Sequence, residues 1–472
     1  MSNNINAASD QTVSEAARTI FHDDVPDTPE VPIDLRRNKL AFGFDSALWG
    51  IGISFMPLAT VLTSLAAKLT PDKTLIGLLS LAWYVGYLLP QLFAARLLRG
   101  KARMRMYSVL PSLIARPVVL AFALWLAITR AADPTLTFWL LIGMVVVMMI
   151  FDAVTSVAWF DMMGRALSPR VRARTIAVNQ FVAAVAGLGV GVLVERILGS
   201  EQLPFPLNYA LLLGMAWLFY ELSLVAMLFI KERAAQQPAN LQTPNLQTSN
   251  VQTSSPQPHP SFIHALKLAW HTDANFKLML IVRALTSVEN MAAAFYVVFA
   301  RERLGLPDSS VGVFTIAYIA GGLLGTVLFG WLAERFGPLR VINAASVMQF
   351  SAPALGFVLS FMPVTPALST LIYVFFILMM LLNGAVNRSV QVGFFSYAQD
   401  SAHEADRPMY VGAVSTVAGT ASFLPVLGGA MIDLLTRLGF VSGAYSLLFG
   451  VAAITVGLGL WLSLRLPKPR RV

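Results

Sequence analysis

Four apolar stretches of this chain each carry polar side chains at helical spacing, and these residues are the ones that can do chemistry. Asp45 has Trp49 one turn further on, and Asp152 is followed by Thr155, Ser156 and Trp159 at positions that share one helix face. Arg283, Ser287 and Asn290 form a third stripe, with Glu289 about 100° around the same helix. Asn383, Asn387 and Gln391 recur every fourth residue, with Arg388 beside them. A charged group at the centre of a bilayer costs roughly 2.5–3.5 kcal/mol on insertion scales, so each of these needs a partner, water or a task. Polar stripes on four separate helices imply a shared wet interior that accepts a medium-sized polar or amphipathic molecule. A carboxylate in such a place can alternate between a proton and a substrate group, or between a proton and a nearby arginine.

Structural roles compete with these readings. Asp45 and Arg388 lie about two turns from one membrane surface, where either can reach interfacial water or cap a neighbouring helix. Arg283 reads equally as the fixed partner of an acid and as a substrate contact. Arg116 and Glu221 read as a structural pair or as groups bonded to backbone, Asp161 and Arg165 as part of a loop network with Arg170 and Arg172, and Asp433 as interfacial. There is no cysteine, and the five histidines (His22, His259, His264, His271, His403) are scattered through hydrophilic stretches. With no H-E-x-x-H, G-x-S-x-G or phosphate-cradling loop, the sequence points to no metal, no cofactor and no enzyme chemistry.

The elements that must position these residues follow from composition. Of the 472 residues, 56% are apolar and 12% charged, and mean hydropathy is +0.67. That charged fraction is about half the value for soluble proteins, so the solvent for most of the surface is lipid. Stretches of roughly 20 apolar residues predict spans near 40–65, 75–98, 107–129, 135–162, 175–198, 208–230, 277–300, 311–332, 341–362, 367–392, 409–435 and 443–466. Of the 34 lysines and arginines, 24 then fall on the side of both termini, seven on the other side, and three (Arg116, Arg283, Arg388) within spans. The asymmetry places both termini in the cytoplasm and makes the net charge of +9 a topological signal, with no nucleic-acid partner implied.

The expected organisation is a disordered tail over 1–39, a six-helix bundle over 40–230, a tether over 231–276, a second bundle over 277–466 and a basic tail over 467–472. The tether contains the imperfect repeat NLQTP-NLQTS-NVQTS from Asn240 to Ser254, which cannot bury apolar surface. A short amphipathic helix through Phe262, Ala265, Leu266, Leu268 and Ala269 follows it. The fold class is all-α integral membrane, with twelve transmembrane helices in two pseudo-symmetric six-helix bundles. Gly187, Gly189 and Gly191 in the fifth span, and Gly412, Gly419, Gly428 and Gly429 in the eleventh, are read as permitting close helix approach. Pro90, Pro117 and Pro425 are read as kinks.

The loop after the eighth span runs Gly330-Trp331-Leu332-Ala333-Glu334-Arg335-Phe336-Gly337-Pro338-Leu339-Arg340. It is similar to the short cytoplasmic signature of the major facilitator superfamily, and with twelve spans and a central linker the chain resembles that superfamily over about 40–466. In the loop, Gly330 is read as allowing close packing and Gly337 a tight turn, with Glu334 and Arg335 pairing with neighbouring helix ends. The first-half copy departs from the pattern, placing Arg99 where Glu334 would align and Ala102 where Gly337 would. The resemblance implies a central cavity lined by spans 1, 4, 7 and 10, hence a substrate and proton site of Asp45, Trp49, Asp152, Ser156, Trp159, Arg283, Ser287, Glu289, Asn290, Asn383, Asn387 and Arg388. It implies a conformational latch of Gly330, Glu334, Arg335, Gly337 and Arg340. It further implies a monomer in a bacterial inner membrane, whose partners are lipid, a small-molecule substrate and protons. The expected function is secondary-active transport of a small organic solute by alternating access, coupled to protons. A passive uniporter of the same fold is the alternative, and a membrane-embedded sensor or enzyme a more distant one.

Overall fold

A computed structural model of the chain describes residues 35–98, 101–232, 270–271, 273–402, 407–441 and 443–468. Among them are twelve helices long and apolar enough to cross a membrane. They are α1 (Leu35–Leu69), α2 (Lys73–Leu98), α3 (Arg105–Thr129), α4 (Pro134–Ala166), α5 (Arg174–Leu198), α6 (Leu207–Leu228), α7 (Ala274–Glu302), α8 (Ser310–Phe336), α9 (Pro338–Phe361), α10 (Pro366–Val386), α11 (Met409–Arg437) and α12 (Ala444–Ser463). No strand occurs among the described residues. Each expected span has its helix, with ends shifted by a few residues. Helix α1 starts at Leu35, inside the expected tail, because its first turn is fastened to the end of α6. There Arg37 Nε donates to the Phe229 carbonyl (2.9 Å), and Asn38 exchanges hydrogen bonds with the Lys231 backbone. The remainder of that tail, the repeat, the amphipathic segment and residues 469–472 lie outside the described residues.

Local chemistry sets the helix ends and breaks. Asp133 caps α4 by accepting from Leu136 N (2.9 Å), and Asp273 caps α7 by accepting from Asn275 N and Phe276 N. Gly337, at φ +83°, makes the sharp turn between α8 and α9 that the sequence led one to expect. Pro57, lacking an amide hydrogen, interrupts α1 and is followed by a widened turn over Leu58–Leu62. Helix α7 is interrupted twice, after Thr286 and after Ala293, without proline or glycine at either point. The first break has a side-chain cause. Ser287 Oγ (2.6 Å) and Thr286 Oγ1 (3.3 Å) both donate to the Arg283 carbonyl, and such back-bonding bends helices.

Packing repeats with a six-helix offset. In the first bundle α1 packs on α5 and α6, α4 on α2 and α3, and α3 on α6. In the second, α7 packs on α11 and α12, α10 on α8 and α9, and α9 on α12. This is the pseudo-symmetry expected of two related bundles. The junction between them repeats in the same way, as α5 against α8 and α2 against α11. Apolar residues left on the outside, such as Phe93, Ile128, Phe361 and Ile454, give these helices a lipid-facing surface.

Glycines let the two bundles touch backbone to backbone. A Cβ on Gly77 would overlap the Pro425 carbonyl, and one on Gly429 would overlap the Lys73 carbonyl. Gly191 and Gly312 play the same part between α5 and α8, against Ile316 and Glu195. Gly189 and Gly419, expected to do likewise, face open space. Polar groups complete the junction at the end of the bundle opposite the chain termini. Asp433 of α11 caps α2, accepting from Lys73 N (3.0 Å), Thr74 N (2.7 Å) and Thr74 Oγ1 (2.6 Å), and so is an inter-bundle clamp more than an interfacial residue. Lys68 pairs with Asp308 (2.5 Å) and Lys73 with Glu302 (2.5 Å), each across the junction. Arg301 reaches Ser64, and Thr60 meets Thr315 (2.8 Å). At the terminal end, the described bonds of Arg37, Asn38, Glu232, Asp273 and Tyr397 each stay within one bundle.

The two kinds of glycine contact should respond differently to a bulkier residue. A Cβ on Gly384 would overlap the Tyr318 carbonyl within one bundle, so Gly384→Val is expected to destabilise folding by about 1–3 kcal/mol. Gly429→Val is expected to leave the unfolding midpoint near wild type and to open the far end instead. The chain is free of cysteine, so a Ser80→Cys probe one turn below Gly77 reports the opening through its maleimide labelling rate. Unchanged labelling in Gly429→Val would remove that glycine from the closure.

Candidate functional site

The charged groups inside the membrane resolve into three arrangements with different chemistry. In the first bundle, Asp45 is 4% exposed and fully engaged: Trp159 Nε1 of α4 donates to it at 2.6 Å and Ser223 Oγ of α6 at 2.5 Å. Arg116 of α3 bonds to Ser223 Oγ (3.4 Å) and to the Tyr220 carbonyl. One serine therefore links an acid on α1 to a base on α3, and the network ties four helices together. Glu221, the other half of the expected structural pair, accepts instead from Trp217 Nε1 (3.0 Å), so each partner has found a different bond. Trp49 is a hydrogen-bond partner of Asp152, which is half-buried on α4.

In the second bundle, Glu289 is 3% exposed at the start of the short helical turn that follows the first break in α7. It accepts from Asn383 Nδ2 of α10 (2.8 Å) and from Tyr296 OH (3.4 Å), both neutral donors. Among the described residues no lysine or arginine pairs with it. Arg283 is buried too, at 6% exposed, with its guanidinium 5.3 Å from the Phe394 ring centroid, in the turn of helix that continues α10. It is the partner of neither Glu289 nor Asp152. Ser287 is enclosed and bonded to the Arg283 carbonyl, and Asn290 is half-buried. The side chains of Asn387, Arg388 and Gln391 lie outside the described residues.

A further stripe belongs to this interior. Tyr84, Tyr87 and Gln91 recur on one face of α2: Gln91 Nε2 donates to Ser156 Oγ (3.3 Å), and Tyr87 bonds to the same pair. Tyr87 lies in the field of Asp152 and Tyr84 in that of Glu289, so one face of α2 spans the carboxylates of both bundles. The spacing of these residues was visible in the sequence, as a polar stripe in an apolar span. Thr155, by contrast, turns toward Ser112 of α3 (3.2 Å) and away from the interior. Among the described residues no group of three or more metal-capable side chains converges.

The loop after α8 is unengaged. Glu334, Arg335 and Arg340 are exposed, and among the described residues Glu334 and Arg335 make no ion pair or hydrogen bond, contrary to the expected pairing with helix ends. Arg335 lies over Trp331 (5.9 Å) and Phe336 (5.7 Å) instead. A Cβ on Gly330 would meet nothing, so that glycine does not serve close packing here.

Comparison with known proteins agrees with this architecture. The family model described as Major Facilitator Superfamily matches residues 40–424. No curated protein matches the chain. Among solved structures, a D-xylose-proton symporter superposes with a TM-score of 0.64 at 15% identity, over 93% of this chain and 99% of that one. A bacterial homologue of the iron transporter ferroportin, in an inward-facing state, gives 0.63 at 15% identity over 92% and 99%. A point mutant of the nucleoside transporter NupG gives 0.62 at 13% over 90% and 99%. At such identities the likeness is one of fold.

The two enclosed carboxylates should separate on substitution. Asp45→Asn places an amide between two donors and is expected to destabilise the protein by about 1–3 kcal/mol. In Glu289→Gln the amide oxygen can still accept from Asn383, so the loss should stay within about 1 kcal/mol. Unfolding of purified variants in detergent compares them; an equal loss in both would mean that the carboxylates do the same job.

Proposed function

The chain belongs to the major facilitator superfamily, and on that premise we propose that it is a secondary-active transporter carrying a small organic solute by alternating access, with protons exchanged at Glu289 and Asp152. The observation that carries the coupling is the setting of Glu289, a carboxylate in the membrane interior held, among the described residues, by an amide and a hydroxyl. Taking up a proton removes a charge that no described cation offsets, whereas Asp45 is already committed to its serine and tryptophan. Asp152 lies at comparable depth on α4, and the α2 stripe joins the two across the bundles.

Residues 40–230 rock against 277–466, with 231–276 as the tether. Both termini are cytoplasmic, on the distribution of lysine and arginine, so the clamped end is external and the described conformation opens inward. The free loop at Glu334 and Arg335 is consistent with that state: it latches the cytoplasmic end when that end closes. The protein works as a monomer in a bacterial inner membrane. The structural neighbours include a proton symporter, which supports the coupling, and transporters of nucleosides and of iron, which leave the cargo open.

The test uses purified protein in liposomes loaded with a pH-sensitive dye, screened with pooled sugars, amino acids, organic acids and nucleosides. The wild type should show solute-dependent proton flux. The Asp152→Asn, Glu289→Gln double variant should exchange labelled solute without moving protons. Full coupled flux in the double variant would sink the coupling site, and exchange without proton movement in the wild type would make the protein a uniporter.

A further inference from the structure

Among the described residues two arginines are buried within spans, and the fold treats them differently. Arg116 shows how this protein satisfies a structural arginine: it donates to a backbone carbonyl and to a serine that also holds Asp45. Arg283 has nothing comparable. It is 6% exposed, its Nε is enclosed without an acceptor, and among the described residues its guanidinium makes neither a hydrogen bond nor an ion pair. Its guanidinium lies over the Phe394 ring, which supports the face of a guanidinium but takes none of its hydrogens. The interior carboxylates are engaged elsewhere, Asp45 by Trp159 and Ser223, Asp152 by Trp49, Glu289 by Asn383 and Tyr296. A guanidinium that presents its fork to no acceptor is matched in geometry by a planar carboxylate or a phosphate.

The position fits a ligand. Arg283 stands at the foot of the bend in α7, and its own carbonyl accepts the two hydroxyls that make the bend. It reaches toward the continuation of α10, while Glu289, six residues and roughly 9 Å of helix rise deeper, reaches toward α10 itself. We infer that Arg283 binds the negatively charged group of the transported solute, so that the cargo is an organic anion bearing a carboxylate or a phosphate. This rests on the transport reading above, though not on proton coupling.

The experiment measures thermal unfolding of the purified full chain, with no proton movement involved, so its result is separable from that of the flux assay. Without ligand, Arg283→Met should raise the unfolding midpoint, because it removes a buried charge that lacks a partner. A lowered midpoint would make Arg283 a structural residue and overturn the inference. Matched probes at millimolar concentration then test the charge: benzoate against benzamide, succinate against succinamide, glycerol phosphate against glycerol. At least one anion should raise the wild-type midpoint while its neutral partner does not, and the carboxylate and phosphate arms identify which oxyanion is taken. Arg283→Met should lose about tenfold or more in apparent affinity, and Arg283→Lys should recover part of it. Neutral partners acting as strongly as the anions, no shift from any anion, or an anion effect undiminished in Arg283→Met would each refute it.

Discussion

Asp433 holds the far end of this protein shut, and the rest of the architecture is arranged around that closure. Its carboxylate takes the free amides at the start of α2, so one bundle caps a helix of the other. The cap is possible only because Gly77 and Gly429 let α2 and α11 meet at backbone distance. With the bundles clamped at one end, and the described bonds at the other end confined to single bundles, a passage between them can open toward the terminal face. The stripes of α1, α2, α4, α7 and α10 line the depth at which such a passage would end.

Within that interior the protein meets the cost of buried charge in three ways. Asp45 and Arg116 share a serine and become part of the scaffold. Glu289 keeps its charge-bearing group among neutral donors, where protonation is a small chemical step. Arg283 is left with an aromatic face and, among the described residues, no acceptor. The first two also join helices, Asp45 and Arg116 through Ser223 and Glu289 through Asn383. Glu289 and Arg283 have no ion-pair partner among the described residues, a condition that a scaffold alone would not select.

Much of the fold was legible in the sequence, because hydropathy reports directly on the one solvent that matters for the spans. The positions of the spans, the even span count and the tight turn at Gly337 all follow from local composition. Partnerships were less legible where one partner is backbone or is remote. Asp433 reads as interfacial because two of its donors are main-chain amides 360 and 359 residues away. Asp45 looked like a candidate for cavity chemistry until Trp159 and Ser223, on two other helices, proved to hold it. The motif implies a packing role for Gly330, whereas its surroundings are open. Tyr84 and Tyr87 do not stand out in the sequence because tyrosine is an ordinary resident of spans, and only their shared face with Gln91 sets them apart.

The ion pairs that accompany the Asp433 cap are not sealed from water. Their side chains keep between 10% and 39% of their surface exposed. Ions in the surrounding medium therefore screen Lys68, Lys73 and Arg301 from their acids, over a Debye length of about 8 Å at physiological strength. The helix cap and the glycine contacts behind it are far less sensitive to salt, since they rest on short hydrogen bonds and on shape. Electrolyte on that side of the membrane thus enters the balance between the closed and open forms of the far end, whatever solute is being carried.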